Sequence, residues 1–382
     1  MKPNSEILVY AHYFLPAKNA GGPPKSLANL IDATKDKLKF KVMCCNHEFN
    51  RPEEEFIGIK VGKWTDFGDR KVMYLQNGWR SLATLIFEGF RRSSKAIYFN
   101  SFFDIRYTII PLFTLAFFSR KKIIIAPRGE FSLGALVIKA TKKKFYLNFF
   151  RFLRLQERVI WQASSSKEKT DLEAFWGPKV KIILLPNFPD TKLPPLQTKT
   201  LKVPRKLRLV YLARIAKIKN LLALLKALKP IKDHKIILDI FGPIEDKMYW
   251  EDCEAAIEEL PQNITTCYRG SIGSADVVNT LATYDLYVLL TNGENFGHTI
   301  YEALSASVPV LISDQTPWRK LSEKNAGWDL PLYENERFTE VIDIAASWDI
   351  NQIRQQKKGA YSVARGYVVD GTRIQIAQKL FA

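Results

Sequence analysis

The sequence predicts an α/β protein made of two Rossmann-like βαβ domains with parallel sheets facing a central cleft. Three observations lead there. Short apolar runs, such as residues 7–11, 41–45, 96–99, 122–126, 159–163 and 181–185, alternate with helical patterns, as a parallel sheet with crossovers requires. A stretch carrying Pro186, Pro189, Pro194, Pro195 and Pro204 interrupts the pattern, which then restarts at residues 207–212, 235–241, 285–290 and 308–313. At 382 residues the chain is also too long for one typical core. The expected division is a first domain over 1–188, a linker over 189–205 and a second domain over 206–364. The terminal segment 365–382 is expected to be a helix.

The elements follow in order. After the first strand, Pro16, Gly21, Gly22, Pro23 and Pro24 make a turn-rich loop, and residues 26–33 read as a helix. Residues 166–176, 221–228 and 303–308 read as helices, the last after the loop that follows Leu290. Ligands of open α/β sheets bind outside the carboxyl ends of the strands, so the loops that follow strands are where chemistry is sought.

Composition sets bounds. Hydrophobic residues make up 47% and charged residues 25%, as in a folded globular protein. Lys and Arg number 57 against 39 Asp and Glu, a net charge of +18, which favours anionic partners. The four cysteines show no paired metal-ligand spacing, so a reducing compartment is expected. The N-terminus has no apolar core of signal-peptide length, and no apolar run reaches transmembrane length; residues 109–118 come nearest. No G-x-G-x-x-G fingerprint is present, which disfavours a nicotinamide cofactor.

Two loops of the second half stand out. Arg214 and Lys219 follow the strand 207–212 directly, and two cations there can hold a diphosphate. Glu294 lies in the loop after strand 285–290, and Glu302 lies eight positions on, in the helix that follows. Helix N-termini favour anions, so carboxylates beside one imply hydroxyl groups, as on a sugar or ribose. His298 falls between the two glutamates. In the first half, His12 ends the first strand, Gly21-Gly22 lets backbone approach a ligand, and Arg128 and Glu130 follow the strand 122–126. Each of these has a structural alternative: a tight turn for the glycines, a local ion pair for Arg128 and Glu130. The segment 139–155 interleaves Lys139, Lys142, Lys143, Lys144, Arg151 and Arg154 with Phe145, Tyr146, Phe149, Phe150 and Phe152. That pattern suits either an anionic membrane interface or a core helix with a solvated basic face. No RNP or helix-turn-helix pattern supports nucleic-acid binding.

These motifs resemble the retaining GT-B glycosyltransferases of family 4, which build bacterial polysaccharides and lipopolysaccharide. The resemblance rests on Glu294-x7-Glu302, Arg214-x4-Lys219, Gly21-Gly22, and residues 309–314 with Pro317-Trp318, and it covers essentially the whole chain. It implies transfer of a sugar from a UDP- or GDP-sugar to a saccharide or lipid-diphosphate-linked acceptor, at the cytoplasmic face of the plasma membrane. By similarity, Arg214 and Lys219 neutralise the leaving diphosphate, Glu302 holds the ribose and Glu294 the transferred sugar. Backbone around Phe296, Gly297, His298 and Thr299 meets the phosphates, and Gly21 and Gly22 lie close to them across the cleft. His12, Arg128 and Glu130 are then candidates for the acceptor or sugar pocket, and Lys142, Lys143, Lys144, Phe145 and Phe149 for membrane contact. Many relatives carry a histidine where this chain has Pro127-Arg128-Gly129-Glu130. No cofactor or metal is expected, because no Asp-x-Asp triplet is present to bridge a metal to a diphosphate. Two alternatives compete. One is a nucleotide-sugar epimerase or hydrolase using Glu130, Asp104 or His298; the other is a non-enzymatic basic protein that binds membrane or nucleic acid.

Overall fold

The computed structural model describes residues 6–17, 20–49, 51–132, 136, 140–197 and 205–382. Lys139 and Pro204, and with Pro204 most of the far half of the proline-rich linker, lie outside them. The chain divides into two compact units, residues 1–191 with 371–382, and residues 192–370.

The first unit is built on an eight-stranded sheet. Its strands are β1 (Glu6–Tyr10), β2 (Lys39–Cys45), β5 (Trp64–Phe67), β6 (Arg70–Leu75), β7 (Ser94–Phe99), β8 (Lys122–Ile125), β9 (Ile160–Ala163) and β10 (Lys181–Leu184), with a small hairpin of β3 (His47–Glu48) and β4 (Arg51–Glu55) beside it. The order is β10-β9-β8-β7-β1-β2-β6-β5, parallel throughout except for β5 on β6. Helices cover both faces, so successive residues of the central strands enter opposite cores. Leu8, Tyr10, Met43 and Cys45 join one apolar cluster, while Ile7, Val9, Val42 and Cys44 join the other.

The second unit is a six-stranded parallel sheet: β11 (Lys206–Leu212), β12 (Lys235–Phe241), β13 (Ile264–Gly270), β14 (Leu286–Leu289), β15 (Val310–Ser313) and β16 (Gly327–Leu330), in the order β13-β12-β11-β14-β15-β16. β13 and β16 lie at its edges and go beyond the strands expected from sequence. β13 reads ITTCYRG with mostly half-exposed side chains, which gives no apolar run to detect. The antiparallel β5 and its neighbour β6 also go beyond the sequence reading: β5 is a four-residue edge strand with half-exposed side chains, and β6 is an inner strand with residues 72–75 buried.

Three boundaries differ from expectation. The first helix runs Gly22–Thr34, four residues earlier than the periodicity shows, because proline with its fixed φ fits the first turn. The helix Ile350–Val369 runs past residue 364, so the terminal segment of the first unit begins only at residue 371. That segment forms the helix Thr372–Phe381. Its Ala377, Leu380 and Phe381 are buried, with the Phe381 ring 5.2 Å from Phe40 and 5.3 Å from Tyr98. Finally, the helix Ala140–Phe152 is neither wholly core nor wholly surface. Tyr146, Leu147 and Phe150 are buried, whereas Phe145, Phe149 and Phe152 are exposed beside Lys142 and Lys144. Lys143 sits over the Phe103 ring at 4.7 Å. No helix among the described residues is long and apolar enough to cross a membrane.

Candidate active site

In the second unit β11 and β14 are neighbours, so their following loops leave the same sheet edge together. Short bonds zip these loops to each other. Asn292 donates its backbone N–H to the Ile218 carbonyl at 2.8 Å, Thr291 Oγ1 donates to the same oxygen at 2.9 Å, and Asn292 Nδ2 donates to the Lys217 carbonyl at 3.1 Å. Sequence places Arg214 and Lys219 in one loop and Glu294 in the other; tertiary structure makes the loops one assembly.

The side chains are paired. Lys219 Nζ donates to Glu294 Oε1, with only 13% and 16% of the two side chains exposed. Arg214 Nη1 donates to Glu245, an exposed pair. Glu245 was not singled out from sequence; its one cue is that it follows Gly242-Pro243 at the end of β12. The two cations therefore share one sheet edge, each paired with a carboxylate, Lys219 with Glu294 and Arg214 with Glu245.

The stretch 296–302 is shaped by packing. Gly297 has φ +74 and starts the helix His298–Ser305. A Cβ there would lie 2.6 Å from Ile300 Cδ1, so glycine is required both for conformation and for space. Phe296 is buried against Trp318 and Tyr367, and its carbonyl accepts from Trp318 Nε1 at 2.5 Å. Thr299 Oγ1 lies 2.8 Å from Tyr287 OH. Phe296 and Thr299 thus hold the loop by their side chains and leave backbone, not side chain, to serve a ligand. His298 is the first residue of the helix, its ring 4.8 Å from Phe296. Glu302 is buried in the second turn.

In the first unit Gly21 has φ +74 and caps the helix that starts at Gly22, whose first turn carries Pro23 and Pro24. Arg128 and Glu130 do not form the local ion pair that sequence offered as one reading, nor do they present open ends to a ligand. Arg128 has φ +55, and its guanidinium donates to Asn100 Oδ1 at 2.9 Å, Asn187 Oδ1 at 2.7 Å and Tyr98 OH at 2.8 Å. It ties three strand ends together. Glu130 turns inward and accepts from Ser101 Oγ at 2.8 Å and from the backbone N–H groups of Phe102 at 2.6 Å and Phe103 at 3.3 Å. Burial pushes its carboxyl up to about 7, against these three donors, which favour the carboxylate. Both side chains are thus engaged in hydrogen bonds within the first unit.

His12 Nδ1 lies 2.6 Å from Asp104 Oδ2, and the other carboxylate oxygen of Asp104 accepts from Tyr107 N–H at 2.6 Å. Burial pushes the Asp104 carboxyl upward, but the His12 bond and charge and the backbone donors hold it below the usual range. Asp104 and Glu130 are therefore both engaged in structural hydrogen bonds, which weakens an epimerase or hydrolase that would use them as acid and base.

Residues 195–359 match the family described as glycosyl transferases group 1. That match gives the second unit a glycosyl transferases group 1 domain. Its matching stretch holds Arg214, Lys219, Glu294 and Glu302 together. The solved structures agree on fold. Anabaena HepE in complex with UDP-glucose is 15% identical, with 98% of this chain and 99% of that one covered and a TM-score of 0.68. Sucrose-phosphate synthase from Thermosynechococcus elongatus is 14% identical, covers 99% and 98%, and has a TM-score of 0.70. WaaG, a glycosyltransferase involved in lipopolysaccharide biosynthesis, is 12% identical over 99% of both chains at a TM-score of 0.64. No curated protein sequence matches the chain. The chain has the GT-B fold, two Rossmann-like units with largely parallel sheets.

Proposed function

We propose that this protein is a retaining glycosyltransferase of family 4, moving a sugar from a UDP- or GDP-sugar to a saccharide or lipid-diphosphate-linked acceptor without a metal at the diphosphate. The observation that carries this reading is the grouping of Arg214, Lys219 and Glu294 on the adjoining loops of β11 and β14, with Glu302 on the helix that follows. Similarity to HepE, whose structure contains UDP-glucose, favours a UDP-sugar donor. Similarity to WaaG supports an acceptor from polysaccharide or lipopolysaccharide assembly.

In this reading the donor diphosphate draws Lys219 from Glu294 and Arg214 from Glu245. The freed Glu294 accepts from hydroxyls of the transferred sugar, and Glu302 from the ribose. As the bond from the anomeric carbon to the β-phosphate oxygen breaks, negative charge grows on that oxygen. Fixed cations there stabilise the transition state more than the ground state. The acceptor oxygen bonds to the same face of the anomeric carbon, and its proton passes to the departing phosphate, so configuration is retained without a protein nucleophile. Backbone N–H groups of residues 296–299 meet the phosphates.

The test is turnover. Purified protein with a panel of UDP- and GDP-sugars and lipid-linked saccharide acceptors is expected to release nucleoside diphosphate and form an α-linked product from an α-linked donor, in the presence of a chelator. Release from no donor, or an inverted product, would overturn the reading.

The reading extends to a cytoplasmic location at the inner face of the plasma membrane. Exposed Phe145, Phe149 and Phe152 beside Lys142 and Lys144 support docking on anionic lipid, as does the net charge of +18. The protein is expected to sediment with vesicles containing phosphatidylglycerol, and the triple change K142E/K143E/K144E to reduce that binding at least about tenfold, since each cation near such a surface is worth about 1 kcal/mol. Equal sedimentation of the variant would sink the docking surface.

A further inference from the structure

A cluster in the first unit lies outside all of the machinery above except His12. The ligand-capable atoms of His12, Cys45 and His47 all lie within 4.8 Å of one another. His12 leaves the end of β1, Cys45 ends the adjacent β2, and His47 opens β3. Cys45 and His47 are buried. Sequence spacing could not show this group, because His12 is far from the other two along the chain.

The outer contacts of the cluster are those of a metal site. A metal-ligating histidine donates its other ring N–H to a carboxylate or a carbonyl, which fixes the tautomer. His12 Nδ1 has Asp104 Oδ2 at 2.6 Å, and His47 Nδ1 has the Glu48 carbonyl at 3.0 Å. A proton on each Nδ1 leaves Nε2 as the coordinating atom of both rings. At His47 that nitrogen has Asn77 Nδ2 at 3.5 Å, the outer limit of a hydrogen bond. Asp104 is in turn fixed by the Tyr107 N–H. The Cys45 thiol donates to the His47 carbonyl, with Sγ 3.4 Å from that oxygen. One cation, Arg106, lies nearby and is occupied by Asn77, Gln76 and Gly78; the Asp104 carboxylate offsets its charge.

We propose that His12, Cys45 and His47 form a zinc-binding site, with Asp104 and the Glu48 carbonyl orienting the two imidazoles. Two imidazoles and one thiolate suit Zn²⁺ among the common divalent ions, and three protein ligands leave a fourth position for water or a small oxygen ligand. Tetrahedral zinc holds such atoms about 3.3–3.8 Å apart, so the side chains close in by roughly 1 Å on binding. Coordination replaces the S–H bond of Cys45 by an S–Zn bond and releases the proton to solvent. The bound ion ties the loop that leaves β1, which carries Gly21 and Gly22, to the turn between β2 and β3.

The experiment uses the full chain, stripped with a chelator and then titrated with Zn²⁺ against a chromophoric competitor, and separately with Co²⁺. Binding of one Zn²⁺ per chain at submicromolar Kd, a rise in Tm, and a thiolate-to-cobalt absorption band are expected. Cys45→Ser should abolish the band and weaken zinc binding at least about 100-fold, and Asp104→Asn should weaken it about 10–100-fold through the imidazole it orients. Cys44→Ser is the control: its side chain enters the opposite core, so the band should persist. His47→Gln gives the same loss of affinity by a route that leaves the thiol in place, should Cys45→Ser fail to fold by circular dichroism. Failure of folded wild-type protein to bind zinc at one equivalent, or a cobalt band that survives in Cys45→Ser or vanishes in Cys44→Ser, would overturn the site. None of these measurements depends on transferase activity.

Discussion

Replacing Lys219 by alanine is expected to lower kcat about 10²–10³-fold, the usual effect of removing one fixed group that stabilises developing oxyanion charge. Sequence alone suggests that this change leaves folding nearly untouched, since Lys219 reads as a loop cation. The ion pair alters that expectation. With both side chains mostly buried, loss of the lysine strands the Glu294 carboxylate, at a cost of about 1–3 kcal/mol. The two effects separate in a double variant. Lys219→Ala with Glu294→Gln should regain most of the lost stability in a urea titration, because the stranded charge is gone, yet stay as inactive as the single variant. Turnover within about threefold of wild type in Lys219→Ala would remove the lysine from the proposed chemistry. An equal stability loss in single and double variants would show that the ion pair is not what the lysine contributes to folding.

Gly242→Ala is expected to damage the second unit severely. Gly242 follows β12 with φ +136, and a Cβ would stand 1.9 Å from the Ala213 carbonyl oxygen, 2.7 Å from its carbon and 3.3 Å from the Arg214 nitrogen. All three are backbone, which cannot swing aside as a side chain could. The local chain is pinned as well: Gly242 N–H donates to the Gly270 carbonyl at 2.9 Å, Tyr268 OH donates to the Gly242 carbonyl at 2.9 Å, and Ala213 N–H donates to the Phe241 carbonyl at 3.2 Å. Relief requires the ends of β11 and β12 to part, which moves Arg214. We expect a loss of about 3 kcal/mol or more, a fall in Tm of roughly 6–12 °C, and a drop in turnover beyond what stability explains. Gly270→Ala calibrates the result. It also has positive φ (+71) but meets no atom within 4 Å, so only the conformational cost of about 1–2 kcal/mol applies. If the two variants lose equal stability, close backbone approach is not the reason for glycine at 242.

Much of the fold was legible because it is locally encoded. Most strands found from sequence are central ones, buried on both faces, whose apolar runs stand out against the helices that follow; the edge strand β10 was found by its apolar run alone. Of the strands missed, β5 and β13 lie at sheet edges with half-exposed side chains, whereas β6 is an inner strand with residues 72–75 buried. The first helix was shortened because its opening turn is Gly-Pro-Pro, which looks like a breaker until its position at a helix start is known. The segment 139–155 could not be assigned from pattern because both readings apply to different stripes of one helix: Phe150 is core while Phe145 and Phe152 are exposed.

The sequence by itself determined which residues stand at strand ends. Arg214, Lys219 and Glu294 follow apolar runs directly, and a strand's carboxyl end is a local property. What only tertiary structure decided is which of these groups meet. Lys219 pairs with Glu294 and Arg214 with Glu245; Arg128 is consumed by Asn100, Asn187 and Tyr98; Glu130 turns under residues 101–103; His12 finds Asp104, Cys45 and His47. The physical reason is the parallel sheet. Strands far apart in the chain lie side by side with their carboxyl ends at one edge, so the charge partners of a residue come from neighbours in strand order, and periodicity and spacing along the chain carry no record of that order.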